Sequence, residues 1–303
     1  VTEHISIADK AVFEKCRDEF YQSLGGENHI SDLCFCNLLA WSDSLKTRRE
    51  LIDGFYCVSI EFLGKWYYYA PIGKIDGRAE AFESVIDRLC SENNVKRSIE
   101  LIMVPELFLP VLRNLKNYRA EYSYDEDYSD YIYDSVSFER LLENRSNRYD
   151  YNHFKRNSAP SFQIIKKQNK TDCLKVMEDF WCLRRECGGC HFGCERKALK
   201  NAVMNFETLE LSGALVYIGH EPVAFVIAKK LNPTVIAYHF MKANTCIRGL
   251  QLFLLYSFAR DVHGKAERIN FTEDMGISGL RSFKQRLAPF TQTHKYNVVL
   301  TRL

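Results

Sequence analysis

The 303-residue chain is close to neutral, at +2, with 46% hydrophobic and 13% aromatic residues. That length suits two domains or one large one with a sizeable core, and the balance of charge leaves nucleic-acid or membrane affinity to local patches. No run of about 18 apolar residues occurs, so no transmembrane helix is expected. The N-terminus lacks the basic-then-apolar pattern of a signal peptide, and eleven Cys without a leader read as reduced thiols in a cytoplasm.

In chain order, residues 9–23 have helical spacing, with Ala11, Val12, Cys16, Phe20 and Leu24 on one face. Strand-like runs follow at Phe55–Ile60 and Trp66–Ala70, separated by a turn at Leu63-Gly64-Lys65. A helix over Ala79–Cys90, a strand at Ile99–Val104, a helix over Glu106–Leu115 and a tyrosine-rich extended stretch to Tyr133 come next. The second half opens with helices across 171–186 and 195–209. Strands follow at Ala214–Ile218, Pro222–Lys229 and Thr234–Phe240, the first two joined as a hairpin through Gly219-His220-Glu221. A helix over Leu250–Val262, a short strand at Arg268–Asn270, a helix over Gly276–Arg286 and a strand at Asn297–Thr301 close the chain.

Both halves run helix, strand meander, helix, strand, helix, strand. This predicts a duplicated α/β (α+β) unit, each a mixed, mostly antiparallel sheet covered by helices, divided as 1–160 and 161–303. Between the halves an acidic, tyrosine-rich stretch gives way to a basic segment containing Arg145, Arg148, Lys155, Arg156 and Lys166. A charge run of this kind is most often a solvated helix face. Interleaved Tyr149, Tyr151, His153 and Phe154 add the alternative of a phosphate-tracking surface for tRNA or an anionic headgroup.

Three further stretches carry candidate chemistry. Cys182 with Cys187-Gly188-Gly189-Cys190-His191-Phe192-Gly193-Cys194 offers thiolates and an imidazole, but structural zinc usually joins two separated pairs and no second CxxC occurs; the expectation is a structural loop with incidental thiols, with zinc or iron–sulfur binding as the alternative. Lys242, Arg248 and Gly249 lie where a strand gives way to a helix, a place where backbone N–H groups can bind an anion. No Gly-x-Ser-x-Gly elbow, Walker loop or His-Glu-x-x-His is present, so hydrolase, NTPase and zincin readings have no support. The densest stretch is Asn270-Phe271-Thr272-Glu273-Asp274-Met275-Gly276, followed by Arg281, Lys284 and Pro289. Acids in the first turn of a helix, favoured by its dipole, are the plain explanation.

The order Asn270-x-x-Glu273-Asp274-x-Gly276-x-x-Gly279-Leu280-Arg281-x-x-Lys284 resembles the closing motif of the phosphatidylglycerol lysyltransferase C-terminal domain family. Asn37 to Trp41, Pro71-Ile72-Gly73, Asp130-Tyr131-Ile132-Tyr133, Phe154-Lys155-Arg156-Asn157 and Glu195-Arg196-Lys197-Ala198 follow the same order, as do Lys242 and Gly249. The resemblance spans nearly the whole chain. It implies tandem acetyltransferase-like (GNAT) units and transfer of an amino acid from aminoacyl-tRNA to a lipid headgroup or other acceptor. It also implies no cofactor beyond that donor, and a cytoplasmic protein, peripheral to anionic phospholipid where it meets membrane. On this reading Glu273 or Asp274 binds the donor ammonium or acts as base. Arg281 and Lys284 hold phosphate or developing negative charge, and Asn270 orients the carbonyl. Lys242, Arg248 and Gly249 line the substrate site, and Lys155 and Arg156 hold tRNA or a headgroup. The alternatives are a CoA-dependent N-acyltransferase, with acetyl-CoA or acyl-CoA as donor, and a non-catalytic binding module for tRNA or cell-envelope precursors.

Overall fold

The computed structural model describes residues 3–75, 79–92, 98–182, 193–262 and 266–303. The first stretch of chain gives β1 (Glu3–His4), α1 (Lys10–Ser23), α2 (Phe35–Leu45), β2 (Arg48–Ile52), β3 (Phe55–Phe62) and β4 (Lys65–Tyr69). It continues with α3 (Ala79–Glu92), β5 (Ser98–Pro105), α4 (Leu109–Arg113) and β6 (Tyr118–Tyr124). The middle gives β7 (Asp130–Asp134), α5 (Ser135–Glu139), α6 (Arg145–Ser158), β8 (Ser161–Ile164), α7 (Asp172–Met177) and α8 (Glu195–Met204). The last stretch gives β9 (Ser212–Ile218), β10 (Glu221–Lys230), β11 (Val235–Ala243), α9 (Leu250–Val262), β12 (Arg268–Asn270), α10 (Ser278–Arg286), β13 (Thr291–Thr293) and β14 (Lys295–Arg302).

Among the described residues these strands make two seven-stranded sheets, ordered β1-β2-β3-β4-β5-β14-β6 and β13-β7-β12-β11-β10-β9-β8. Each contains a parallel neighbour pair, β4 with β5 and β11 with β12, among antiparallel pairings. The expected mixed, mostly antiparallel sheets are therefore present. The β2–β3 hairpin turns through Asp53-Gly54 with both φ positive, the backbone hand that matches strand twist.

Two compact units result: Val1–Asp130 with Glu273–Gly276 and Thr293–Leu303, and Tyr131–Thr272 with Ile277–Gln292. They divide the chain differently from the expected boundary at 160. The reason is topological. The strand between β5 and β6 is β14, from the end of the chain, and the corresponding place beside β12 in the second sheet is taken by β7, from the end of the first half.

The first unit has an aromatic core. Phe13 meets Tyr56 edge-on at 5.4 Å, and Phe108 meets Phe20 at 4.9 Å and Phe82 at 5.4 Å. The buried face of α1 is set by Phe13, Cys16 and Phe20, whereas Val12, expected inside, is 42% exposed; the face that buries the larger rings removes more apolar area from water. The second unit packs α5, α6 and α9 with the strands around Tyr133, Phe138, Phe154, Phe258 and Phe271. Here α6, β8 and β13 are additions to the expected elements, as are α2 and β2 in the first unit. The expected 171–186 helix is α7 followed by a π-type turn over Glu178–Cys182, and its remainder lies outside the described residues.

Candidate functional site

The corner after β12 is built by backbone geometry. Asn270 is fully buried and its Oδ1 accepts the Thr272 N–H at 2.8 Å, turning the chain as an Asx turn. Thr272 and Met275 take positive φ values of 54° and 53°, and Gly276 follows at 69°. The Met275 N–H donates to the Asp127 carbonyl at 2.8 Å, and a Cβ on Gly276 would lie 2.8 Å from the Asp127 carboxylate. Asp274 is fully buried and its Oδ1 accepts the Gly276 N–H at 2.9 Å. Helix α10 begins only at Ser278, with Ile277 as its N-cap. Glu273 and Asp274 thus precede the helix rather than occupy its first turn, and the plain dipole explanation does not describe them.

In the first unit Glu273 belongs to a buried charge cluster. The Lys295 ammonium, 1% exposed, is bonded to Asp32, lies 2.7 Å from Asp130 Oδ1 and 3.6 Å from Glu273 Oε2. Asp130 also accepts from the Ser31 N–H at 2.8 Å and the Ser31 hydroxyl at 2.9 Å. Burial alone would lower the Lys295 pKa, but Asp130, Asp32 and Glu273 outweigh it and hold it well above the ordinary lysine value. Burial pushes the Asp32 carboxyl up, against the pull of Lys295. Burial, Asp125 and Glu273 push the nearby Tyr128 hydroxyl up to about 12. The arrangement holds an ammonium charged at neutral pH and presents it to Glu273, whose side chain is 21% exposed. The oxygens of Asp32, Asp130 and Glu273 are close enough to hold a metal, yet the lysine ammonium already supplies the cation.

The other expected residues fall in the second unit. Lys284 is buried, and its Nζ donates to the Phe271 carbonyl at 2.5 Å and meets the Thr272 hydroxyl at 3.4 Å. The Tyr131 and Phe271 rings face it at 5.5 and 5.3 Å, and the Tyr133 hydroxyl donates to the Lys284 carbonyl at 2.7 Å. It braces the corner from beneath. Arg281 is partly exposed on α10. Lys242 pairs with Glu195 at 2.7 Å. Arg248 pairs with Asp150 at 2.7 Å and lies over the Tyr149 ring at 5.6 Å. Gly249 is needed for close packing, since a Cβ there would collide with the Asp150 carbonyl on α6. Lys155 and Arg156 are exposed in the last turn of α6, whose buried residue is Phe154. In the cysteine cluster Cys182 and Cys194 are partly exposed, while 183–192 lie outside the described residues.

Sequence reasoning missed Lys295, Asp32 and Asp130 as site residues. Asp130 heads the Asp130-Tyr131-Ile132-Tyr133 motif, which was a signal; Lys295, between His294 and Tyr296, carried none.

The comparisons with known proteins agree with this architecture. A conserved protein of unknown function from Bacteroides thetaiotaomicron is 24% identical, with 99% of each chain covered and a TM-score of 0.81. The C-terminal domain of a putative lysylphosphatidylglycerol synthetase from Agrobacterium fabrum is 13% identical, covering 98% of this chain and 93% of that one, with a TM-score of 0.65. A tandem GNAT protein from the clavulanic acid biosynthesis pathway is 7% identical, covering 100% and 98%, with a TM-score of 0.50. At these identities the likeness is one of fold, and the fold is the tandem GNAT type. No curated protein sequence matches the chain. The family model for the C-terminal region of phosphatidylglycerol lysyltransferase matches residues 26–299, and the chain belongs to that family.

Proposed function

We propose that this chain transfers an aminoacyl group from aminoacyl-tRNA to the hydroxyl of a lipid headgroup or a comparable acceptor, with Glu273 as the base. The observation that carries the reading is the Glu273 carboxylate, partly exposed in the family's closing motif and 3.6 Å from a buried, charged lysine. An aminoacyl ester is already activated, so the protein must mainly position the reactants and move one proton. The acceptor O–H proton passes to Glu273 while its oxygen bonds to the acyl carbon. The ester C–O bond to the carrier then breaks, and Glu273 returns the proton to the leaving ribose oxygen. Asn270, Asp274 and Lys284 act through the backbone of the corner, which they hold. The exposed bases of α6, Lys155 and Arg156 among them, suit the phosphates of tRNA or of a headgroup.

The test is transfer of label from aminoacylated total tRNA to phosphatidylglycerol vesicles. Glu273→Gln should lower the rate by about 10²- to 10⁴-fold, the usual scale for a general base, with tRNA binding retained. A full rate in that variant overturns the assignment. The GNAT fold supports a second reading, N-acyl transfer from CoA; label moving from acetyl-CoA and not from tRNA would favour it.

A further inference from the structure

In the first unit the carboxylate oxygens of Asp32, Asp130 and Glu273 lie within 4.8 Å of one another. They come from separate places in the chain: the approach to α2, the start of β7 and the corner after β12. The fourth member, Lys295, opens β14. An ion pair that merely ties strands together needs one acid for one base. Here three carboxylates converge on one ammonium, two of them, Asp32 and Asp130, buried, a concentration of like charge of the kind functional sites retain.

The three acids are not equivalent. Asp130 is fully buried and bonded to Ser31 and Lys295, and Asp32 is 7% exposed and bonded to Lys295. These two fix the ammonium. Glu273 stands farther off and is the more open. The groups packed around the cluster are Arg17 and Tyr21 from α1, Tyr69 from β4, and Asp125, Asp127 and Tyr128 from the turn before β7. The Tyr21 hydroxyl is buried without a hydrogen-bond partner and feels Arg17, Asp130, Asp32 and Lys295, so the polar set is not closed as in a purely structural network.

We infer that Lys295 is a positioning residue for the transfer site: anchored by Asp32 and Asp130, it keeps the Glu273 carboxylate ionised and in one orientation. The inference rests on the aminoacyl-transfer reading for the reaction, and on the cluster alone for the coupling. Because β14 supplies the lysine, the last strand of the chain completes the site.

Two readouts on the protein test it. The first is a nuclear magnetic resonance titration with glutamate carbon-labelled at the side-chain carboxyl, the Glu273 signal being the one lost in Glu273→Gln. The second is the pH profile of transfer from aminoacyl-tRNA to phosphatidylglycerol vesicles. In Lys295→Met the Glu273 midpoint should rise by about one pH unit, the scale expected for loss of a neighbouring charge. The acidic limb of kcat/KM should move with it, with kcat lower by roughly tenfold and KM for aminoacyl-tRNA unchanged. Lys295→Arg should keep the midpoint near its original value. Where Lys295→Met does not fold, Lys295→Gln, which removes the charge but keeps a hydrogen-bonding side chain, is read in the same way. An unmoved Glu273 midpoint in either folded variant overturns the inference. A moved midpoint with no transfer in the wild type supports the coupling and defeats the reaction assigned to it.

Discussion

Single residues here carry strain or charge that a surface residue would not. Gly276 is the clearest case: its φ of +69° disfavours any other residue, and an added Cβ would lie 2.8 Å from the Asp127 carboxylate. Gly276→Ala should destabilise the protein by about 1–2 kcal/mol, from the left-handed backbone and the crowding together. Gly279, three residues on and inside α10, meets nothing within 4 Å. Gly279→Ala should leave the melting temperature unchanged or raise it, since alanine suits a helix better. Thermal melts of the two variants check the contrast, and equal losses would show that the corner is not what constrains Gly276. Lys295 gives a pH prediction. Its folded pKa stands above the unfolded value of about 10.4, so its contribution to stability is complete below that pH and is lost as pH rises through the folded value. Wild-type melting temperature should therefore fall more steeply than that of Lys295→Met above about pH 10.5. Parallel curves there would refute the linkage.

At the scale of elements, β14 is the strand on which most depends. Val298 and Leu300 are fully buried, and the strand pairs on one side with β5 and on the other with β6. Leu300→Ala should cost about 2–5 kcal/mol, the range for a truncated core leucine, whereas Thr301→Ala, partly exposed on the same strand, should cost little. Denaturant midpoints for the pair measure this. The strand itself was legible, because Val298, Val299 and Leu300 make a short β-branched, apolar run; its place in the sheet was not, because such a run says nothing about which sheet a strand joins. The β9–β10–β11 meander and the α9 helix were legible for the same local reasons. By contrast α2, uncapped by any side chain and apolar almost throughout its first turns, lacks the polar start that marks a helix in sequence. Strand β2, with Arg48, Arg49 and Glu50, has the charge of a loop and is held by its pairing to β3. The candidate site followed the same pattern. Glu273 and Asp274 were visible as adjacent acids, but the difference between them depends on burial, and the cluster around Lys295 depends on contacts across more than 250 positions of sequence, such as Asp32 with Lys295.

For the whole molecule, the exchange of end strands makes the order of the chain differ from the order of its compact units. Sheet β1-β2-β3-β4-β5-β14-β6 lacks an internal strand if the chain stops before residue 295, and the other sheet lacks β7 if the chain starts after residue 134. Removing an internal strand leaves the hydrogen-bonding edges of both its neighbours unpaired and exposes a face of the core. A fragment of residues 1–160 keeps β7 without its sheet and lacks β14; a fragment of 161–303 keeps β14 without its sheet and lacks β7. Neither should fold by itself, so each should be insoluble or show a broad, non-cooperative melt when expressed alone. Expressed together, the two should supply each other's missing strand and yield a soluble complex that co-purifies through a tag on either piece. Cooperative melting by an isolated fragment would show that β7 or β14 is an ornament on a sheet stable without it. It would also remove the topological reason for expecting Lys295 to be fixed where Glu273 needs it.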